Sequence, residues 1–207
     1  MSTDLFAAEE QFQRLPLPGA DIHFLRTLPL PAPADDLLRE LVTTSNWEAR
    51  DRVMWGKRVA QPRLHAWHSD MFHRYDQALK VNPWTPLLLA LKARVESVTG
   101  ESFNSVLLNY YRDEHDSVAM HSDDEPELGP KPPIASLSLG ETRTFVMKHK
   151  HLRTLKPVRI ALPSGCLLVM RGETQRNWMH AIEKENHPLG PRVNLTFRQI
   201  RSTRRHG

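Results

Sequence analysis

Two histidines and one carboxylate in this chain have the residue types and spacing of a metal site. His121 and Asp123 stand two positions apart, and a second histidine, His180, follows far downstream. Side chains two apart on a strand point to the same face, so His121 and Asp123 can converge on one ion. Such a triad on one face of an iron ion leaves three coordination positions open. We therefore predict an iron centre at His121, Asp123 and His180.

A His-x-Asp pair alone is weak evidence, because so short a pattern also arises by chance. The run His68-Ser69-Asp70 is a second copy of it. Stronger support comes from residues 192–198, where polar side chains alternate with apolar ones: Arg192, Asn194, Thr196 and Arg198 against Val193, Leu195 and Phe197. A strand with this pattern has a polar row and an apolar row.

Arginine is a natural partner for a dicarboxylate. Arg192 and Arg198 are roughly 20 Å apart in an extended strand, so we expect them at opposite ends of such a ligand. Asn109 and Tyr111 share a face of an earlier strand and are suitable donors to carboxylate oxygens. Alternatively, Tyr111 is an ordinary buried tyrosine. With the triad, the arginines predict an oxygenase that depends on iron and 2-oxoglutarate.

Composition places these residues in an ordinary globular chain. The 207 residues are 40% hydrophobic and 25% charged, which suits one soluble domain over residues 1–207. One cysteine excludes an internal disulfide framework and suits a reducing compartment. No secretory signal or membrane-length apolar run is present. We predict a monomeric cytoplasmic protein with no membrane partner, nuclear if the organism is eukaryotic.

The elements that must position the site change character near residue 100. Before it, the pattern predicts a strand at 22–25, a helix at 33–44, and a helix from Pro86, capped by Thr85 and ended by Gly100. After it, short strands are predicted at 105–111, 118–121, 134–139, 144–148, 158–161, 166–170, 179–182 and 192–200. Helices followed by such strands predict an α+β fold with a jelly-roll core at about residues 100–200.

The arrangement of these motifs resembles the AlkB family of nucleic-acid dealkylating dioxygenases. The resemblance covers roughly residues 50–200 and rests on 108–111, 121–125, 134–140, 167–172, 178–180 and 191–198. It implies a double-stranded β-helix in which His121, Asp123 and His180 bind Fe(II). Arg192 would bind the distal carboxylate of 2-oxoglutarate, and O₂ would be the second cosubstrate. The cosubstrate pocket would be completed by Asn109, Tyr111, Asn194 and Arg198.

The resemblance further implies demethylation of bases such as 1-methyladenine and 3-methylcytosine in alkylated DNA. Such a base leaves the stack and is held between aromatic or apolar groups. A lid at about residues 50–75 would supply Trp67 or His68, although similar proteins usually have a tyrosine in place of His68. Asp124 and Glu125 would contact the base, or simply form a solvated turn.

Met54, Trp55 and Gly56 lie among basic residues and suit an apolar wedge for a duplex; alternatively, Trp55 packs in the core. The net charge is +4, with basic clusters at 50–63, 148–153 and 201–205. These clusters suit a phosphate-backbone partner, although charge runs are commonly solvated surface. RNA as substrate stays open, whereas the basic clusters and the Met54-Trp55 wedge argue against a protein side chain. A nucleic-acid-binding protein with a non-catalytic metal site is the alternative from a different class.

Overall fold

The computed structural model describes residues 11–54, 57–70 and 80–201, with the backbone path alone at 52–54 and 57–60. The helices are α1 (Ala34–Thr44), α2 (Pro86–Thr99) and the single turn α3 (Thr174–Asn177), and a 3₁₀ turn covers Pro126–Leu128. The strands are β1 (Gln13–Leu15), β2 (Asp21–Leu25), β3 (Glu48–Met54), β4 (Lys57–Ser69), β5 (Val81–Asn82), β6 (Ser105–Tyr111), β7 (Val118–His121), β8 (Ile134–Gly140), β9 (Arg143–His149), β10 (Val158–Leu162), β11 (Leu167–Arg171), β12 (Trp178–Ile182) and β13 (Arg192–Arg198).

The strands form two sheets. The larger has the order β1-β2-β11-β8-β13-β6-β4-β3, with β5 beside β4, and the smaller has the order β10-β9-β12-β7. Within the described strands, β4 and β5 pair in parallel and the other pairs are antiparallel. This arrangement confirms the predicted α+β fold with a jelly-roll core.

The predicted elements from residue 105 onward are present to within two residues at each end. The prediction was incomplete before residue 100, where α1 and α2 alternate with β1 to β5 instead of preceding the strands. The described part of the proposed lid, residues 50–54 and 57–70, is also part of the main sheet, because β4 pairs with β6 and β3 pairs with β4. Local pattern did not reveal the pairing of β4 with β6, since it joins residues 36 to 46 positions apart.

Helix α2 begins and ends where the sequence predicted. The Thr85 hydroxyl accepts a hydrogen bond from the Leu88 N–H at 3.2 Å, and Gly100 adopts a left-handed conformation with φ +69°. A left-handed residue after the last turn is strongly favoured as glycine. Helices α1 and α2 pack against the outer face of the large sheet, where Val193, Leu195 and Phe197 form part of the core. Their buried leucines are Leu37, Leu41, Leu88 and Leu91.

The inner face of the large sheet points toward the small sheet. A second apolar cluster there includes Ile22, Phe145, Leu168, Met170 and Ile182. All seven residues of β13 are buried, so its polar row faces the space between the sheets and not solvent. Within the described residues, no helix is long and apolar enough to span a membrane.

His65 on β4 is a buried base whose surroundings oppose protonation. Its side chain is buried, and neither ring nitrogen has a hydrogen-bond partner among the described residues. Burial, with the charges of Arg63 and Arg50, lowers its pKa from 6.5 to about 3. The fold therefore holds His65 neutral, whereas the unfolded chain takes up a proton below about pH 6.5.

We predict that His65→Gln reduces the loss of stability in acid. The contribution of His65 is fully present above about pH 6.5 and is lost as the pH falls toward 3. At pH 5 the variant should have lost about 2 kcal/mol less unfolding free energy than the wild type, each relative to its own pH 7.5 value. Urea unfolding across this range measures the difference. Exposed His115→Gln serves as the control, and parallel curves for His65→Gln and the wild type would contradict the assignment.

Candidate active site

Strands β7 and β12 bring the two predicted histidine ligands together. His121 and His180 are direct register partners, and their ring centroids lie 4.4 Å apart. The His180 ring also stacks on Phe145 of β9, with 5.0 Å between centroids and 25° between planes. The small sheet therefore fixes both imidazoles before any ligand binds.

Asp123 completes the triad from the turn that follows β7. One carboxylate oxygen lies 3.8 Å from His121 Nε2 and the other lies 3.9 Å from His180 Nε2. The three ligand atoms all lie within 4.8 Å of one another. The Asp123 N–H donates to Gln175 Oε1 at 3.0 Å, which fixes the turn. Two imidazole nitrogens and a carboxylate oxygen in this arrangement fit a mononuclear Fe(II).

The environment favours the metal-binding protonation states of His180 and Asp123. Burial lowers the pKa of His180 to about 3, so this imidazole is neutral at physiological pH. Burial opposes the charge on Asp123, but Arg198 and the two histidines offset it and hold the pKa of Asp123 below its ordinary value. His121 Nδ1 lies 2.9 Å from the Ala119 carbonyl oxygen. If that nitrogen carries the proton, Nε2 is the free electron-pair donor facing Asp123.

Arg198 and Arg192 have different environments, although they share one face of β13. Arg198 Nη2 donates to Asp123 Oδ1 at 2.6 Å, so it lies at the metal end of the site. Arg192 Nη2 donates to Ser138 Oγ at 3.0 Å. Its Nε and Nη1 are buried with no hydrogen-bond partner among the described residues. Two unsatisfied donors of a buried guanidinium fit a carboxylate, which would accept both.

The remaining predicted cosubstrate residues surround these arginines. Tyr111 is the register partner of Arg192, and Asn109 is that of Asn194. The Asn194 amide donates to Ser136 Oγ at 2.7 Å, which holds it on the sheet. All eight predicted metal and cosubstrate residues line one cavity between the sheets. They are Asn109, Tyr111, His121, Asp123, His180, Arg192, Asn194 and Arg198.

Arg63 on β4 is a cavity residue that the sequence analysis treated as part of a basic surface cluster. It lines the same cavity, donating through Nε to Asn109 Oδ1 at 2.9 Å and through Nη1 to the Ser117 carbonyl at 3.2 Å. Period-two spacing from Trp67 would have placed Arg63 on the face shared by 65 and 67. The pairing of β4 with β6 was needed to identify that face as the inner one.

The predicted substrate residues lie in several environments. Glu125 Oε2 is buried with no hydrogen-bond partner among the described residues, whereas the Asp124 carboxylate is exposed and pairs with Lys150 at 3.1 Å. Trp67 is buried in a cluster with Leu128 and Ile200 and donates to Ser105 Oγ at 2.7 Å. Trp67 therefore lies in the protein interior and does not line the cavity.

His68 is likewise buried, with Nδ1 2.6 Å from the Pro83 carbonyl oxygen. This contact gives the second His-x-Asp run a structural role. The roles of Trp67 and His68 as stacking partners stay predictions. So does the wedge: Trp55 and Gly56 lie outside the described residues, and for Met54 only the backbone is described.

Residues 22–198 match the 2OG-Fe(II) oxygenase superfamily. The chain is 45% identical to the Alpha-ketoglutarate-dependent dioxygenase alkB homolog 3 of Mus musculus, covering 81% of this chain and 62% of that protein. It is 39% identical to the DNA oxidative demethylase ALKBH2 of Homo sapiens, covering 84% of this chain and 71% of that protein. The chain thus spans about three fifths of the alkB homolog 3 proteins it matches.

A solved structure, "The structure of OsALKBH1", superposes with a TM-score of 0.65 at 18% identity, covering 91% of this chain and 100% of that one. That likeness supports the fold alone. The superfamily match confirms the predicted cofactor set of Fe(II), 2-oxoglutarate and O₂. Taken with the relatives, it shows that the chain belongs to the 2OG-Fe(II) oxygenase superfamily and, within it, to the AlkB family.

Proposed function

We propose that this chain demethylates N-alkylated bases, such as 1-methyladenine and 3-methylcytosine, in DNA. The observation that carries the proposal is one cavity that holds the His-Asp-His triad at one end and the two unsatisfied donors of Arg192 further along β13. Relatives named as a DNA oxidative demethylase and an alkB homolog dioxygenase support the substrate class.

Each residue has a defined task in this proposal. His121, Asp123 and His180 hold Fe(II), and Arg192 binds the distal carboxylate of 2-oxoglutarate. The pocket is completed by Asn109, Tyr111, Asn194 and Arg198. When bound, the iron, O₂ and 2-oxoglutarate supply the oxidation that yields succinate, CO₂ and a hydroxylated methyl group, which leaves as formaldehyde. Arg198 keeps Asp123 ionised, and the apolar wall formed by Phe145 and Ile182 excludes water.

On the substrate side, Glu125 accepts a hydrogen bond from the exocyclic amine of the flipped base. Its buried, unpartnered oxygen supports this role, because an unsatisfied buried acceptor is costly unless a ligand completes it. Asp124 and the wedge Met54-Trp55-Gly56 contribute further contacts to the nucleic acid. Trp67 and His68 are buried, so stacking of either on a base requires β4 to expose it. The chain acts as a monomeric single domain, inside the cell and in the nucleus if the organism is eukaryotic.

Mass spectrometry of a 1-methyladenine oligonucleotide tests the proposal. The protein is loaded anaerobically with Fe(II) and 2-oxoglutarate and then exposed to air. Single-stranded DNA, duplex DNA and RNA of one sequence are compared, with Asp123→Ala as the inactive control. We expect loss of the methyl group in DNA only when 2-oxoglutarate is present. Consumption of 2-oxoglutarate without methyl loss would mean that the oxygenase acts on another substrate.

We predict that Arg192→Met weakens 2-oxoglutarate binding by at least about 100-fold, since it removes a buried charge-assisted pair worth roughly 3 kcal/mol. Isothermal titration calorimetry with Mn(II) in place of iron measures this without turnover. Arg176, exposed on α3, provides the control variant Arg176→Met, which should bind normally. Unchanged affinity in Arg192→Met would remove this arginine from the cosubstrate site.

We predict that Glu125→Ala lowers kcat/KM for 1-methyladenine and 3-methylcytosine by about tenfold or more, as expected for loss of a hydrogen bond to a charged group. It should not lower kcat/KM for 3-methylthymine, which presents a carbonyl oxygen in place of the amine. Glu127→Ala, a carboxylate change in the same turn, controls for loop damage. Equal losses on all three lesions would argue that Glu125 supports the loop and does not read the base.

A further inference from the structure

Arg143 is a buried arginine that the proposed chemistry does not use. It begins β9 in the small sheet, and 1% of its surface is exposed. Its guanidinium donates to three main-chain carbonyls: those of Asp113 at 3.1 Å, Asp116 at 2.8 Å and Glu183 at 2.6 Å. Among the described residues, no carboxylate lies within ion-pair distance of it. Carbonyl dipoles solvate this cation, and the buried Asp116 carboxylate, which is ion-paired with Arg112, interacts with it at longer range.

The ring of Tyr111 connects Arg143 to the cosubstrate cavity. Arg143 Cζ lies 5.5 Å from the ring centroid, and Arg192 Cζ lies 5.0 Å from the same centroid. Tyr111 is itself 3% exposed and lines the cavity. A cation within about 6 Å of an aromatic ring is attracted to its face and restrains its orientation. The two arginines thus hold one phenol from opposite sheets of the sandwich.

The two arginines also repel each other. Burial lowers the pKa of Arg192, Tyr111 offsets part of this, and the charge of Arg143 lowers it further. Two buried positive charges on either side of one ring destabilise the protein unless an anion balances them. Arg198 is already paired with Asp123, so the excess positive charge lies at the Arg192 end of the cavity.

We infer that Arg143 is a positioning residue for the cosubstrate, holding Tyr111 in place and adding a second positive charge that selects a dianion. The inference rests on the proposed function, because the dianion is 2-oxoglutarate. Arg143 acts through Tyr111 and through its field, and its main-chain hydrogen bonds keep the charge fixed. It therefore raises the preference for a ligand with a distal carboxylate over one without it.

The test compares two ligands in the full chain loaded with Mn(II). Calorimetry measures Kd for 2-oxoglutarate and for 2-oxopentanoate, which has the same chain length but no distal carboxylate. In Arg143→Met, Kd for 2-oxoglutarate should rise about tenfold, equivalent to about 1.4 kcal/mol. Kd for 2-oxopentanoate should change less than about twofold, because a neutral end does not respond to the lost charge. Arg143→Lys, which keeps the charge, should retain most of the preference.

Arg112 provides the matched control. It holds the same turn through Asp116, with both nitrogen–oxygen distances at 2.8 Å. Although it follows Tyr111 in the chain, its side chain is half exposed and makes no described contact with the Tyr111 ring. Arg112→Met should leave the ligand preference intact even if the melting temperature falls. If Arg143→Met fails to fold, Arg143→Gln replaces it, since its amide can still donate to a carbonyl.

Three outcomes would overturn the inference. Arg143→Met could raise Kd for both ligands by the same factor. Arg112→Met could reduce the preference for 2-oxoglutarate as much as Arg143→Met does. The preference could also be unchanged in Arg143→Met. Each outcome would mean that Arg143 only stabilises the turn at residues 113–116. If the wild type binds no 2-oxoglutarate, the proposed function itself is wrong. If the wild type binds 2-oxoglutarate and Arg143→Met keeps the same preference, only the inference about Arg143 is wrong.

Discussion

The buried pair between Asp123 and Arg198 is the interaction on which the site depends. A carboxylate removed from water favours its neutral form, which would not serve as an anionic metal ligand. Arg198 at 2.6 Å offsets that penalty and fixes one carboxylate oxygen. Because Arg198 is on the large sheet while both histidines flank Asp123 from the small sheet, the pair also joins the two layers. Loss of either partner would leave an uncompensated charge in the interior.

The two sheets supply different parts of the site. The large sheet carries arginine, asparagine and serine side chains on its inner face, which suit a carboxylate ligand. The small sheet carries the imidazoles and Phe145, which suit a metal and exclude water. The apolar row of β13 packs against the helices, and the polar row on the other face is buried between the two sheets. Because β13 has a polar row on one face and an apolar row on the other, it is stable only when the small sheet covers the first and the helices cover the second.

Much of this arrangement could be predicted from local sequence, because strand periodicity fixes which side chains share a face. The shared face of His121 and Asp123 and the polar row of β13 were predicted in this way, and both ends of α2 were predicted from its capping residues. Partner choice between distant strands was not. The pairing of β4 with β6 moves Arg63 from a supposed basic surface to the cavity wall, and it places Trp67 in an apolar cluster. These outcomes depend on long-range packing, which has no short-range pattern.

The same pairing connects β4, which belongs to the proposed lid, to the cavity between the sheets. Arg63 on β4 donates to Asn109 on β6, and Asn109 lies opposite Asn194 on β13. A shift of β4 would therefore displace a hydrogen-bond donor to Asn109, which lines the cavity where we propose that 2-oxoglutarate binds. Trp67, two residues on from His65, packs with Leu128 in the loop that carries Glu125. Because these residues are closely packed, we expect β4 and the loop that carries Glu125 to move together.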